Sequence, residues 1–250
     1  MRLYAIGDIH GHLDLARAAH DRIDRDRDLT GDYDAPVIHI GDYCDRGPNV
    51  AGLLDYLIAG QAAGAPWHFM KGNHDRMMRR FLEPERKRDQ LRDDLHWLQD
   101  NMGGKTTLAS YGVDVSPRRD RAAIHADARE AVSEHHITFL EGLQNSLHLG
   151  DVFLCHAGIR PGLPLDRQDE DDLVWIRDAF LMDMRDHGAL IVHGHTPIRQ
   201  VTHYGNRVNI DSGAAYGGPL TAIVIEGNAV WHLTDDGREI LEPIPQIMAG

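Results

Sequence analysis

The chain has 250 residues, enough for one large domain or two small ones with a sizeable core. Its 26 Lys and Arg stand against 39 Asp and Glu, and the net charge of −13 argues against nucleic acid or an anionic membrane as partner. Two cysteines cannot build a disulfide framework. The first residues are too soon polar for a signal peptide and no apolar run nears the length of a membrane span, so a reducing, cytoplasmic compartment is expected.

Leu3-Tyr4-Ala5-Ile6 reads as a short buried strand that ends in Gly7-Asp8-Ile9-His10-Gly11. Asp8 and His10 are two apart, so an extended segment presents both on one side, where they can share a metal. Residues 13–27 follow as a helix with Leu13, Ala16, Ala19 and Ile23 on one face. The run Val37-Ile38-His39-Ile40 is a second strand. It feeds Gly41-Asp42-Tyr43-Cys44-Asp45-Arg46-Gly47, a loop with two carboxylates three residues apart and an arginine beside the second. Helical spacing over 48–62 is stopped by Gly64-Ala65-Pro66. Trp67-His68-Phe69-Met70 is a third strand and ends in Gly72-Asn73-His74-Asp75.

Residues 76–145 are rich in helix formers and charge, and read as a helical insertion within one domain spanning 1–250. Seven of residues 76–92 are Lys or Arg. The favoured reading is a solvated helix face paired with Glu83, Glu85 and Asp89; the alternative is a lid over an acidic substrate. Asn101-Met102-Gly103-Gly104 breaks the pattern, and 128–143 resume it. Asp151-Val152-Phe153-Leu154-Cys155 is again a strand, followed by His156-Ala157-Gly158. Leu173-Val174-Trp175-Ile176-Arg177 leads into a helical run to His187. Leu190-Ile191-Val192 then ends in His193-Gly194-His195-Thr196-Pro197. The remainder is β-rich: Arg207 to Asp211, Leu220 to Ile225, a turn at Glu226-Gly227-Asn228, and Ala229 to Leu233.

Five apolar runs thus end in potential ligands: Asp8 with His10, Asp42, Asn73, His156 and His195. Strands of one sandwich bring their carboxyl ends to one edge, so the five loops can converge. Carboxylate, imidazole and amide donors without thiolate suit Mn, Fe or Zn. Six ligands exceed one ion with an open position and suit two ions bridged by Asp42, about 3.5–4 Å apart.

The order GDIHG, GDYCDRG, GNHD, HAG and GHTP resembles the calcineurin-like metallophosphoesterase superfamily. GDYCDRG resembles its phosphoprotein phosphatase branch, in the short bacterial and bacteriophage lambda-type serine/threonine form. The resemblance implies an α/β four-layer sandwich: two mixed β-sheets flanked by helices, with a dinuclear metal site at the strand carboxyl ends. It implies that Asp8, His10 and Asp42 hold one divalent ion and Asp42, Asn73, His156 and His195 the other, with Mn²⁺ the first choice and Fe or Zn the alternatives. His74 matches the family's general acid, Asp45 its partner, and Arg46 and Arg177 its phosphate clamps. Asp75 stands where protein phosphatases usually carry Glu. Pro197 stands where other branches carry a further histidine, which leaves the first ion with fewer protein ligands. His193 competes with His195 for the ligand role, and its place relative to Gly194-His195-Thr196-Pro197 favours His195.

The implied chemistry is phosphomonoester hydrolysis by a water activated between two ions. Phosphorylated serine or threonine in a protein is the first expected substrate. A diadenosine-tetraphosphate hydrolase or another nucleotide or small-molecule phosphoesterase is the alternative, because those relatives share most motifs. A scaffold protein without catalysis would lack Asp42, Asn73 or His74, and all three are present. Cys44 and Cys155 read as small buried residues, and the sequence leaves the oligomeric state open.

Overall fold

The computed structural model describes residues 1–244, so residues 245–250 of the expected domain lie outside the described residues. In chain order, the first half holds β1 (Arg2–Ile6), α1 (Leu13–Thr30), β2 (Val37–His39), α2 (Val50–Ala62), β3 (Trp67–Phe69), α3 (Asn73–Phe81), α4 (Gly104–Ser110), α5 (Arg121–Ala131) and α6 (Glu134–Glu141). The second half holds β4 (Ser146–Leu149), β5 (Val152–Cys155), α7 (Glu170–Trp175), α8 (Asp178–Leu181), β6 (Leu190–His193), β7 (Thr202–His203), β8 (Arg207–Asn209), β9 (Ala222–Glu226), β10 (Ala229–Thr234) and β11 (Gly237–Ile240).

The strands form two mixed sheets, ordered β11-β10-β9-β1-β2-β3 and β4-β5-β6-β8-β7. Within the first, β1, β2 and β3 are parallel; within the second, β5, β6 and β8 are parallel. Side-chain alternation explains the layering. Leu3 and Ala5 of β1 point between the sheets, against Val152, Leu154, Val192 and Val208. Tyr4 and Ile6 point outward and are covered by Ala16, Ala19 and Ile23 of α1 and by Leu53, Leu54 and Leu57 of α2. On the far side, Phe153 and Ile191 pack under Leu173 and Phe180 of α7 and α8. Strands buried on both faces are near-continuous apolar runs, which is why they were legible. The fold is the expected four-layer sandwich of two mixed sheets flanked by helices.

Several boundaries differ from the sequence reading. Helix α1 runs to Thr30, three residues past the expected end, and closes on Gly31 in the left-handed region, whose N–H donates to the Arg27 carbonyl at 2.7 Å. The expected helix over 76–92 stops at Phe81. Pro84 follows, and the chain is then held by Asp89, which accepts from Arg76 at 2.8 and 2.9 Å. The expected helix over 128–143 is two helices, broken where Val132 turns extended. The expected run from Arg177 to His187 is only α8, which ends at Leu181; Leu173, Val174 and Trp175 lie in α7, and Arg177 is in the joint between the two.

Under α1 and α2 lies a buried histidine pair, His20 and His39, whose Nε2 atoms are 3.0 Å apart; His20 also stacks on Trp67. Burial pushes His20 down to about 4 and His39 well below the usual range, so both are neutral when folded. Because their folded pKa values lie below the unfolded one, the unfolded chain takes up protons first as the pH drops. Stability is therefore expected to fall between about pH 6.5 and 4. Urea midpoints at pH 7 and pH 5 measure this, and His20→Gln should flatten the slope.

Candidate metal centre

The parallel strands of both sheets carry their carboxyl ends to one edge, and the loops there are unusually strained. Five non-glycine residues among those described have left-handed φ: His10 (48°), Asp42 (53°), Asp45 (74°), Arg46 (67°) and His195 (64°). All five are residues singled out from the sequence. Such conformations cost about 1–3 kcal/mol each and concentrate where function demands them.

Asp42 lies at the middle. Its Oδ1 accepts from the His74 backbone N–H at 3.0 Å, while its Oδ2 faces His10 Nε2 at 3.4 Å and His156 Nε2 at 3.5 Å. Each ring is fixed from behind. His10 Nδ1 donates to the Cys44 carbonyl at 2.7 Å and His156 Nδ1 donates to the Ile40 carbonyl at 3.0 Å. Both Nε2 atoms therefore present lone pairs to the centre. Asn73 Oδ1 lies 3.0 Å from His156 Nε2 and 2.8 Å from His195 Nδ1. Asp8 Oδ2 accepts from the His195 backbone N–H at 3.0 Å, but its Oδ1 is buried with no hydrogen-bond partner.

Asp42 Oδ2, Asn73 Oδ1 and the Nε2 atoms of His10 and His156 are thus acceptors that face one another in a buried space, an arrangement that calls for positive charge. Burial pushes Asp8 well above the usual carboxylate range, with Asp211 and Asp42 adding to the effect. Burial would do the same to Asp42, but His156, His74, His10 and His195 around it hold it below that range. Burial also keeps His10 down at about 3 and His156 and His195 below the ordinary value, so their rings are neutral donors to a cation. Two groups of ligand atoms converge: His10, Asp42 and His74; and Asp42, His156 and His195. The donors fit divalent ions on either side of Asp42, with His10 on one side and His156 and His195 on the other; His74, its Nδ1 held by Asp45, stands beside them.

Glycines allow the loops to close on one another. A Cβ at Gly72 would stand 2.1 Å from Asp42 Oδ1, and one at Gly194 would stand 2.1 Å from Asp8 Oδ1. Asp75 ties two loops together by accepting the backbone N–H groups of Gly72, Asp42, Tyr43 and Cys44 at 2.8–3.2 Å. This is the work done by the carboxylate that departs from the protein phosphatase pattern.

Beside the centre, His74 Nδ1 donates to Asp45 Oδ2 at 2.6 Å. Asp45 is fully buried and also accepts from Trp97 Nε1 and from Thr107 Oγ1 at 2.7 Å. Arg46 Nη1 reaches His10 Nε2 at 2.9 Å, and Arg177 Nε reaches His195 Nε2 at 3.1 Å. The two guanidinium groups thus reach different rings of the cluster. His193 is elsewhere: its Nδ1 faces the Gly194 carbonyl and its Nε2 faces Arg207. All ten residues singled out from the sequence are brought together. Cys44 and Cys155 are buried and unpaired.

Sequence reasoning missed four contributors. Asp211, two residues beyond β8, lines the pocket over the cluster and is pushed up to about 6 by burial. The run Val208-Asn209-Ile210-Asp211 carried the same strand-end signal as the other five. Trp97 and Thr107, which grip Asp45, carried no local signal. Tyr216 lies over Arg46, with the guanidinium carbon 5.2 Å from the ring centre.

The fold and cluster define a metal-dependent phosphoesterase type of site. The model of the calcineurin-like phosphoesterase family matches residues 1–225, and the chain belongs to that family. Calcineurin-like phosphoesterases use divalent metals. The chain is 27% identical over 244 residues to the asymmetrical bis(5′-nucleosyl)-tetraphosphatase PrpE of Geobacillus thermodenitrificans, covering 89% of this chain and 90% of that protein. PrpE of Bacillus cereus is 25% identical with the same coverage. Among solved structures, a cold-active protein tyrosine phosphatase superposes with a TM-score of 0.65 at 19% identity, covering 97% of this chain and 79% of that one. A candidate diadenosine tetraphosphatase gives 0.58 at 20%, covering 96% and 94%. At those identities the likeness is one of fold. No helix among the described residues is long and apolar enough to cross a membrane.

Proposed function

We propose that the protein hydrolyses dinucleoside tetraphosphates, and that phosphorylated proteins, the first expectation from the sequence, are not its main substrate. The observation that carries this reading is the pocket over the cluster. It has a volume of about 640 Å³ and combines Arg46, Arg92 and Arg177 with the aromatic rings of Trp175 and Tyr216. Arg92 lies 5.7 Å from the Trp175 ring centre, and Arg46 lies under Tyr216. Guanidinium groups alternating with rings suit a chain of phosphates ending in nucleobases. The PrpE relatives support the same substrate class.

In this reading Asp8, His10 and Asp42 would hold one divalent ion, and Asp42, Asn73, His156 and His195 the other; when bound, the ions would supply charge neutralisation at the phosphoryl oxygens and a lowered pKa for water. Arg46 and Arg177 clamp the phosphoryl oxygens, where a planar fork fits two oxygens at once. His74 donates a proton from Nε2 to the leaving oxygen. Asp45 holds the ring by Nδ1, and Trp97 and Thr107 hold Asp45. A phosphate leaving group is stable as an anion, so His74 is needed less for an anhydride than for an alkyl ester.

A second reading, phosphoserine or phosphothreonine hydrolysis, is favoured by the Asp45–Arg46 pair within Gly41–Gly47. The two are separated by a hydrolysis panel on metal-stripped protein with Mn²⁺ restored. Diadenosine tetraphosphate should be cleaved with kcat/KM at least about tenfold above phosphoserine and phosphotyrosine peptides, with p-nitrophenyl phosphate as reference. Peptide turnover above that of the dinucleotide would return the protein to the phosphatase reading with the site unchanged.

A further inference from the structure

The cations of residues 76–92 are sorted by the fold. Arg76 is buried against Asp89 and Asp171, Arg80 also reaches Asp89, and Arg79 is tied to Glu141. Lys87 pairs with Glu83 at 2.5 Å and Arg92 with Asp94 at 2.8 Å. Arg88 reaches only the Asp93 backbone carbonyl, and Arg86 makes no ion pair among the described residues. Arg121, which opens α5, makes none either.

Arg86, Arg88 and Arg121 rim one cavity of about 290 Å³, and Phe81, Leu95 and Trp97 form its apolar floor. The one carboxylate in its wall, Asp89, is buried and already neutralised by Arg76 and Arg80. In a chain of net charge −13, three free guanidinium groups over an aromatic floor make a local site for an anion that carries a flat ring. The cavity adjoins the pocket of the candidate metal centre, since Leu95 lines both. Arg92, paired with Asp94, stands on the pocket side of that shared wall.

We propose that this cavity is a nucleotide site and that it receives the distal nucleotide of a dinucleoside tetraphosphate whose scissile phosphate lies at the candidate metal centre; the second half rests on the function proposed above. The base packs on Phe81 and Trp97, and the arginines take the phosphate oxygens. A phosphoserine peptide offers no second ring-bearing anion, and p-nitrophenyl phosphate is too short to reach.

The test is the Arg88→Ala/Arg121→Ala double variant; both side chains are exposed, and the Lys double variant serves as the conservative control. With Mn²⁺ bound, KM for diadenosine tetraphosphate should rise about tenfold relative to KM for p-nitrophenyl phosphate, and the Lys variant should recover part of that ratio. Separately, calorimetric titration of adenosine triphosphate into protein held in EDTA should show binding to the wild type that the double variant loses. An unchanged KM ratio together with unchanged nucleotide binding overturns the proposal, as does an equal loss on both substrates. If the wild type binds adenosine triphosphate through these arginines yet fails to cleave the dinucleotide, the substrate reading falls and the nucleotide site stands.

Discussion

Asp42→Asn is expected to reduce metal content from two ions to one or none and to lower kcat by about 10³-fold or more, with the fold intact. Asn has the same shape, and its side-chain oxygen can still accept the His74 backbone N–H that Asp42 Oδ1 accepts at 3.0 Å. The φ of 53° at this position is one that Asn tolerates better than most residues. What is lost is the charge that faces His10 and His156 together. The substituted amide would also turn N–H toward the lone pairs of those rings, and so satisfy them without a cation. Metal analysis of the purified variant, with circular dichroism as a control for folding, measures the outcome. A variant that retains two ions and full activity would overturn the placement of Asp42 between two ions.

His74→Asn is expected to leave both ions in place and to lower kcat by about 10²–10⁴-fold on alkyl phosphates. The loss should be smaller on p-nitrophenyl phosphate and on diadenosine tetraphosphate, whose leaving groups are stable as anions. The grading by leaving group is the diagnostic feature. A residue that merely supported the structure would cost all substrates alike. His74 sits at the start of α3 with its Nδ1 fixed 2.6 Å from Asp45, so its Nε2 is the atom free to move a proton. Undiminished rates on both aryl and alkyl phosphates would remove the general-acid role. Together the two substitutions separate holding the ions from transferring the proton, because only the first should change metal content.

The substrate assignment depended on features of different reach. The short motif Gly41–Gly47 and the segment Val174-Trp175-Ile176-Arg177 pointed to protein phosphatases because they were compared as strings of a few residues. The relatives match over about nine-tenths of both chains, and there the likeness is to tetraphosphatases. The pocket residues on which the proposed substrate rests, Arg92, Trp175 and Tyr216, come from three separate loops and helices and belong to no common motif.

What the sequence determined by itself was everything encoded within a few consecutive residues. An apolar run followed, directly or after a glycine, by a ligand-type side chain is a local signal, so the candidate ligands Asp8, His10, Asp42, Asn73, His156 and His195 were legible one strand end at a time. The two-sheet architecture followed because its central strands are buried on both faces. What only the tertiary structure decided was set by partners far apart in the chain. The path of the chain after α3 is fixed by Arg76 finding Asp89 and Asp171, the latter 95 residues away. The grip on Asp45 depends on Trp97 and Thr107, 52 and 62 residues away. The exclusion of His193 depends on Arg207, which holds it away from a cluster that His195, two residues on, enters. Ion pairs and hydrogen bonds act over a few ångströms with no fixed spacing in sequence, and that is why periodicity and motif length could not reveal them.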